Sequence, residues 1–227
     1  MLPLADENPT RLTPIVNYTI IAATTAIFLW QTSSTPTHFT STLYTYGLIP
    51  TLIANGQRLP TLITNIFLHG GWTHLGGNML FLWIFGDNIE DCCGHLRYLL
   101  FYTATGITAG LIWTLTAANS PYPAVGASGA ISGVLGAYFI FYPRAKIRTL
   151  IGAGLFFRII RIPASAMIGL WFIYQIILAS LPLNTGVAYW AHVGGFAAGL
   201  ALSRIMRPKL RGPSPPQETK EETTSGS

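Results

Sequence analysis

Charge is scarce in this chain. Only 9% of its 227 residues are Asp, Glu, Lys or Arg, against roughly a quarter in soluble domains. Half the residues are hydrophobic and the mean hydropathy is +0.45. That balance excludes an ordinary soluble globule and implies one compact membrane bundle whose apolar surface faces lipid. Cysteine is nearly absent as well. Cys92 and Cys93 are neighbours, so they can build no disulfide framework, and no Cys-x-x-Cys or Cys/His cluster accompanies them. They are expected to be structural. Carboxylates are missing from long stretches: none lies between Glu7 and Asp87, or between Asp91 and Glu218. Without an HExxH motif or an acid at membrane depth, a zinc peptidase is disfavoured, and no metal or cofactor is expected.

What the chain does have is a series of apolar runs, at residues 14–31, 74–92, 97–117, 128–142, 162–181 and 188–206. Each approaches the roughly 20 residues that cross a bilayer. The fold class expected is therefore all-α: a polytopic protein of six transmembrane helices. The segment 32–73 is broken by Gly47, Pro50 and Gly56 and should lie half immersed at the interface. The stretch 144–161 carries five cations and is expected to be a loop on the membrane surface.

The net charge of +5 does not indicate nucleic acid, because the cations gather in short loops. With an internal N-terminus, Arg11, Arg97, the five cations of 144–161 and the C-terminal group all become cytoplasmic. Only Arg58 falls outside. Three regions follow: a cytoplasmic segment 1–13, a membrane domain 14–206, and a polar cytoplasmic tail 207–227 expected to be disordered. The absence of large added domains suggests a prokaryotic plasma membrane.

Polar groups at bilayer depth are costly, so each is a functional suspect. The second run opens with "HGGWTHLGGN", bringing His69, His74 and Asn78; the fourth opens at Ser128; the sixth carries His192 in "AHVGG". All three runs go from outside inward, so these groups share a depth just below the outer face. Gly129 and Gly133 on the fourth run, with Gly195 and Gly199 on the sixth, form small-xxx-small pairs that let backbones approach. Close approach would bring Ser128 to His192, a nucleophile to its general base. His74, the Asn78 amide and the Ser128 backbone N–H could then stabilise an oxyanion. No third, acidic member is available. Asp87 lies 13 residues past His74, about 20 Å along a helix, and is expected to anchor the inner end. Polar groups do not continue inward along a path, which argues against a transporter. His38 and His95 read as solvated loop residues.

"GASG" at 126–129, "HGGWTHLGGN" at 69–78 and "AHVGG" at 191–195 together resemble the rhomboid intramembrane serine proteases, over residues 14–206. The resemblance implies a rhomboid-like bundle in which residues 32–68 form the membrane-embedded first loop. It implies Ser128 as nucleophile, His192 as base, His74 and Asn78 at the oxyanion, and Gly126 shaping the loop before the serine. His69 would help hold water or the fold, and the fifth run with the loop after it would correspond to a substrate gate. The partners implied are the lipid bilayer and transmembrane segments of substrate proteins. Two departures stand out. The Trp-Arg pair that many members carry in the first loop is missing. Where some members stack an aromatic on the histidine, four positions after the nucleophile, this chain has Ser132, so His192 should be oriented by Tyr138, Tyr189 or Trp190.

Overall fold

A computed structural model describes residues 2–153, 156–182 and 185–206. The polar tail read at 207–227 lies outside them. Six long helices occupy the six apolar runs: α1 (Ile15–Thr32), α5 (Trp72–Cys93), α6 (His95–Thr116), α7 (Ser128–Phe141), α8 (Ala164–Ser180) and α9 (Tyr189–Ser203). Between α1 and α5 the chain folds into α2 (Pro36–Tyr46), α3 (Pro50–Ala54), α4 (Thr61–Thr64) and a 3-10 turn, Asn65–Phe67. By length and composition, α1 and α6 are long and apolar enough to cross a membrane.

One expectation fails. The fold is not purely helical, and 144–161 is not an irregular loop. Strands β2 (Lys146–Ala153) and β3 (Phe156–Pro163) pair antiparallel over their full length. The N-terminal strand β1 (Leu2–Asp6) joins β2, giving the order β1-β2-β3. The signal was present in the alternation of "KIRTLI" and "RIIRIP", where β-branched residues are spaced for strands. The density of cations masked it.

Helix α7 is the core of the bundle. Every residue from Gly129 to Tyr138 is buried. This is possible because its small residues let neighbours in on several sides. A Cβ on Gly195 would collide with the Gly129 carbonyl, and one on Gly199 with that of Gly133, so α9 lies backbone-to-backbone on α7. The Gly129 and Gly133 α-carbons themselves face α6, where a Cβ would strike Ala109 and Thr105. Each small-xxx-small pair therefore serves a close contact, but the α7 pair serves two helices at once.

The inner end of α5 anchors the first helix. α1 has no side-chain cap of its own, and the buried Glu90 carboxylate accepts the Val16 and Asn17 backbone N–H groups at 2.9 and 2.7 Å. Asp91 accepts the Leu12 N–H at 2.7 Å. His95, read as a solvated loop residue, instead opens α6 and bonds Glu90. His38 sits in α2 and packs edge-on against Trp30. The anchoring expected of Asp87 thus belongs to Glu90 and Asp91; Asp87 accepts from the backbone and side chain of Asn88. Cys92 and Cys93 are buried and free, within the core.

β1 is held to the bundle by Asp6, which accepts the Tyr138 hydroxyl at 2.7 Å. Burial pushes the Asp6 carboxyl up to about 6, the nearby Asp87 adding to the effect and the Tyr138 hydrogen bond opposing it. A carboxyl raised in the folded state favours folding fully below its unfolded value, and that contribution is lost as pH rises through 6. Asp6→Asn should therefore raise the melting temperature at pH 7.5 and leave it unchanged near pH 4. A variant that melts below the wild type at pH 7.5 would show that the charged carboxylate is the favoured partner.

Candidate active site

Each suspect side chain is set by the element that carries it. Ser128 is the first residue of α7, immediately after the loop 117–127. That loop is clamped from the first-loop side. Leu48 and Ala124 exchange backbone hydrogen bonds of 3.0 and 2.7 Å, and the Gly126 N–H donates to the Asn65 carbonyl at 2.9 Å. Gly126 has φ +128°, a conformation that L side chains rarely adopt, and a Cβ there would come 2.7 Å from His74 Nε2. Glycine is thus required where the loop turns over the imidazole. The first loop is itself held by Arg58, whose guanidinium donates to the Tyr44 carbonyl at 2.8 Å and to that of Thr45. Arg58 supplies the grip that the missing Trp-Arg pair would give.

The structure brings the separated residues together. His192 Nε2 lies 2.9 Å from Ser128 Oγ, although 64 positions separate them. The short distance follows from the glycine seam between α7 and α9 just below. His192 Nδ1 is 2.8 Å from the Gln175 side-chain oxygen on α8. An oxygen there can only accept, so Nδ1 carries the proton and the Nε2 lone pair faces the serine. Gln175 is buried, and sequence reasoning missed it. The available signal was a lone amide inside the apolar run "ASAMIGLWFIYQIILAS". Of the aromatics expected to orient the ring, Tyr189 lies edge-on at 6.2 Å, while Tyr138 is committed to Asp6. Trp171 tilts against the imidazole at 6.3 Å. Ser132 is buried small packing surface, its hydroxyl donating to the Ser128 carbonyl at 2.6 Å.

On α5, Asn78 and His74 line the same cavity as Ser128 and His192, a cleft of about 720 Å³. Asn78 Nδ2 lies 2.8 Å from the Nε2 of His69, which is fully buried. That bond uses one of the two amide hydrogens and leaves the second free to donate. The His69 N–H is in turn 3.2 Å from the Gln31 side-chain oxygen, tying the start of α5 to α1. The Gly70 N–H donates to His74 Nδ1 at 3.4 Å, so the donor of a neutral His74 ring is Nε2, on the side of Gly126. The cleft therefore holds a hydroxyl, a base facing it, and several N–H donors.

A family model for the Rhomboid domain matches residues 56–209. The chain belongs to the rhomboid family. It is similar to the rhomboid protease GluP of Bacillus subtilis, 40% identical over 125 residues, which cover 55% of this chain and 24% of GluP. It is also 40% identical over 134 residues to YdcA of the same bacterium, covering 56% of this chain and 62% of that protein. RHOMBOID-like protein 5 of Arabidopsis thaliana is 31% identical over 168 residues, or 68% of this chain and 46% of the plant protein. The match thus spans less than two thirds of each of these relatives. Within this rhomboid, the matched region contains Ser128, His192, His74, Asn78 and Gln175, and stops short of β1 and α1.

Proposed function

We propose that this rhomboid is an intramembrane serine endopeptidase that hydrolyses peptide bonds in or next to transmembrane segments by a Ser128–His192 dyad. The observation that carries the reading is the 2.9 Å contact from His192 Nε2 to Ser128 Oγ, inside a cleft lined by amide and imidazole donors. Its relatives include a protein named a rhomboid protease, which supports the same class of chemistry.

The six long helices are transmembrane, residues 14–206 form the membrane domain, and 1–13 and 207–227 are cytoplasmic. The cation distribution supports that orientation, and the bacterial relatives support a prokaryotic plasma membrane. The length of α7 accounts for the depth of the site. Its 14 residues rise about 21 Å against a hydrocarbon core of about 30 Å, so a helix ending at the inner interface starts well below the outer one. Water enters through the cleft, while lipid is excluded from Ser128 by the loop 117–127.

In the reaction, Ser128 Oγ attacks the carbonyl carbon while its proton passes to His192 Nε2. The free Asn78 N–H, the Ser128 backbone N–H and His74 Nε2–H meet the oxyanion. Gly126, Gly129, His69, Gly195 and Gly199 support this arrangement through the contacts already described. His192 then gives its proton to the leaving amine, and later draws one from the water that cleaves the acyl-enzyme. No metal or cofactor takes part.

Incubation of the detergent-solubilised protein with a fluorophosphonate tests this directly. Peptide mapping should place the adduct on Ser128, with no adduct formed in folded His192→Ala. An adduct on any other serine, or equal labelling without His192, would refute the dyad.

A further inference from the structure

The β2–β3 hairpin plays no part in the chemistry, yet it is the most exposed apolar feature outside the long helices. Its charges are sorted along its length. Arg144, Lys146 and Arg148 precede the turn and Arg158 and Arg161 follow it, while the sequence from Thr149 to Phe157 carries no charge. The register puts Arg148 opposite Arg161 near the bundle, then Leu150 opposite Ile159, and Gly152 opposite Phe157 toward the tip. Phe156 is 86% exposed, Phe157 68% and Ile159 49%.

The base of the sheet is fixed. Ile147 and Thr149 are buried, Thr149 Oγ1 touching Met167 Sδ on α8 at 3.8 Å. β3 runs into α8 without an intervening residue. The distal half leaves the bundle with aromatic side chains on both faces, because Phe156 and Phe157 are consecutive in a strand. Water is a poor solvent for such a tip, and an unpaired apolar edge strand in water is an aggregation hazard. A bilayer beside it removes both problems.

We infer that the distal half of this hairpin dips into the cytoplasmic leaflet, its cations engaging anionic lipid headgroups. Charge complementarity selects the partner. Among the described residues Glu7 pairs with Arg161 at 2.7 Å, and no carboxylate pairs with Arg144, Lys146, Arg148 or Arg158. Four cations thus ring a charge-free tip, at the level where phosphates of a negatively charged leaflet would lie. The inference rests on the six-span reading only for the side of the membrane concerned. It requires no proteolytic activity.

The test uses the full chain carrying Phe157→Cys, labelled with an environment-sensitive fluorophore. The protein is reconstituted in vesicles of phosphatidylcholine alone or mixed with phosphatidylglycerol. Unmutated protein gives the background from the buried Cys92 and Cys93. Insertion predicts quenching by spin-labelled lipid and protection from aqueous iodide, both stronger with phosphatidylglycerol. Arg148→Gln with Arg158→Gln, on the same background, should weaken the phosphatidylglycerol dependence by about threefold or more. Iodide quenching as efficient as that of the free dye, with no effect of spin-labelled lipid, would overturn the proposal. Fluorescence is read without substrate, so an inert Ser128 would refute the protease while leaving this result to stand by itself.

Discussion

Ser128→Ala and His192→Ala each reduce cleavage of a transmembrane reporter by about 10⁴-fold or more in reconstituted vesicles, and the double variant is no slower than either. The non-additivity is the informative part. If the hydroxyl and the imidazole act as one unit across the 2.9 Å contact, removing either ends the same step, so the second removal has nothing left to cost. Additive losses would instead mean two separate roles, such as substrate binding by His192, and would sink the dyad. Folding is controlled by the melting temperature, because neither side chain supports the core: both are half-buried and line the cleft. Asn78→Ala belongs in the same series with a smaller effect, roughly 10–1000-fold, on the turnover number rather than on KM. Its loss removes an oxyanion donor and frees His69 from its amide partner at 2.8 Å.

The sequence made the bundle legible because lipid imposes a simple rule: long apolar runs must be helices, and α1, α5, α6, α7, α8 and α9 fall where the runs do. It made the reacting pair legible for the same reason, since a serine and a histidine at equal depth in an oil-filled chain stand out. The hairpin was hidden because its evidence is of another kind. Period-two alternation is weak beside five cations, and the strand β1 that completes the sheet lies about 140 residues upstream of β2. Glu90 and Asp91 were likewise assigned to depth alone, although their partners are backbone N–H groups at the start of α1, which no side-chain pattern reveals. Gln175 was passed over because attention followed ionisable groups. An amide carries no charge, yet it too needs a partner when buried in apolar surroundings.

That amide leads to the second large effect: Gln175→Leu should lower the turnover number by about 100-fold with little change in KM. The loss would come from the imidazole rather than from the substrate site. With Gln175 Oε1 accepting from His192 Nδ1, the ring is fixed both in rotation and in tautomer, its Nε2 lone pair held toward Ser128. A leucine of similar size fills the space but lets the ring turn, or carry its hydrogen on Nε2, where it cannot accept the serine proton. The residues expected to do this job, Tyr138 and Tyr189, are not placed to substitute, one being bound to Asp6 and the other lying edge-on. Gln175→Glu separates positioning from packing. Its carboxylate still accepts from Nδ1–H and stabilises the imidazolium formed during attack, so activity should be regained and the basic limb of the pH profile should move to higher pH relative to the wild type. A purely structural Gln175 would give two variants that lose melting temperature together and show the wild-type pH profile in whatever activity remains. The position also links the base to α8. Any displacement of that helix as a substrate enters would lengthen the Gln175–His192 bond, so full activity would require α8 to settle back once the peptide is in place.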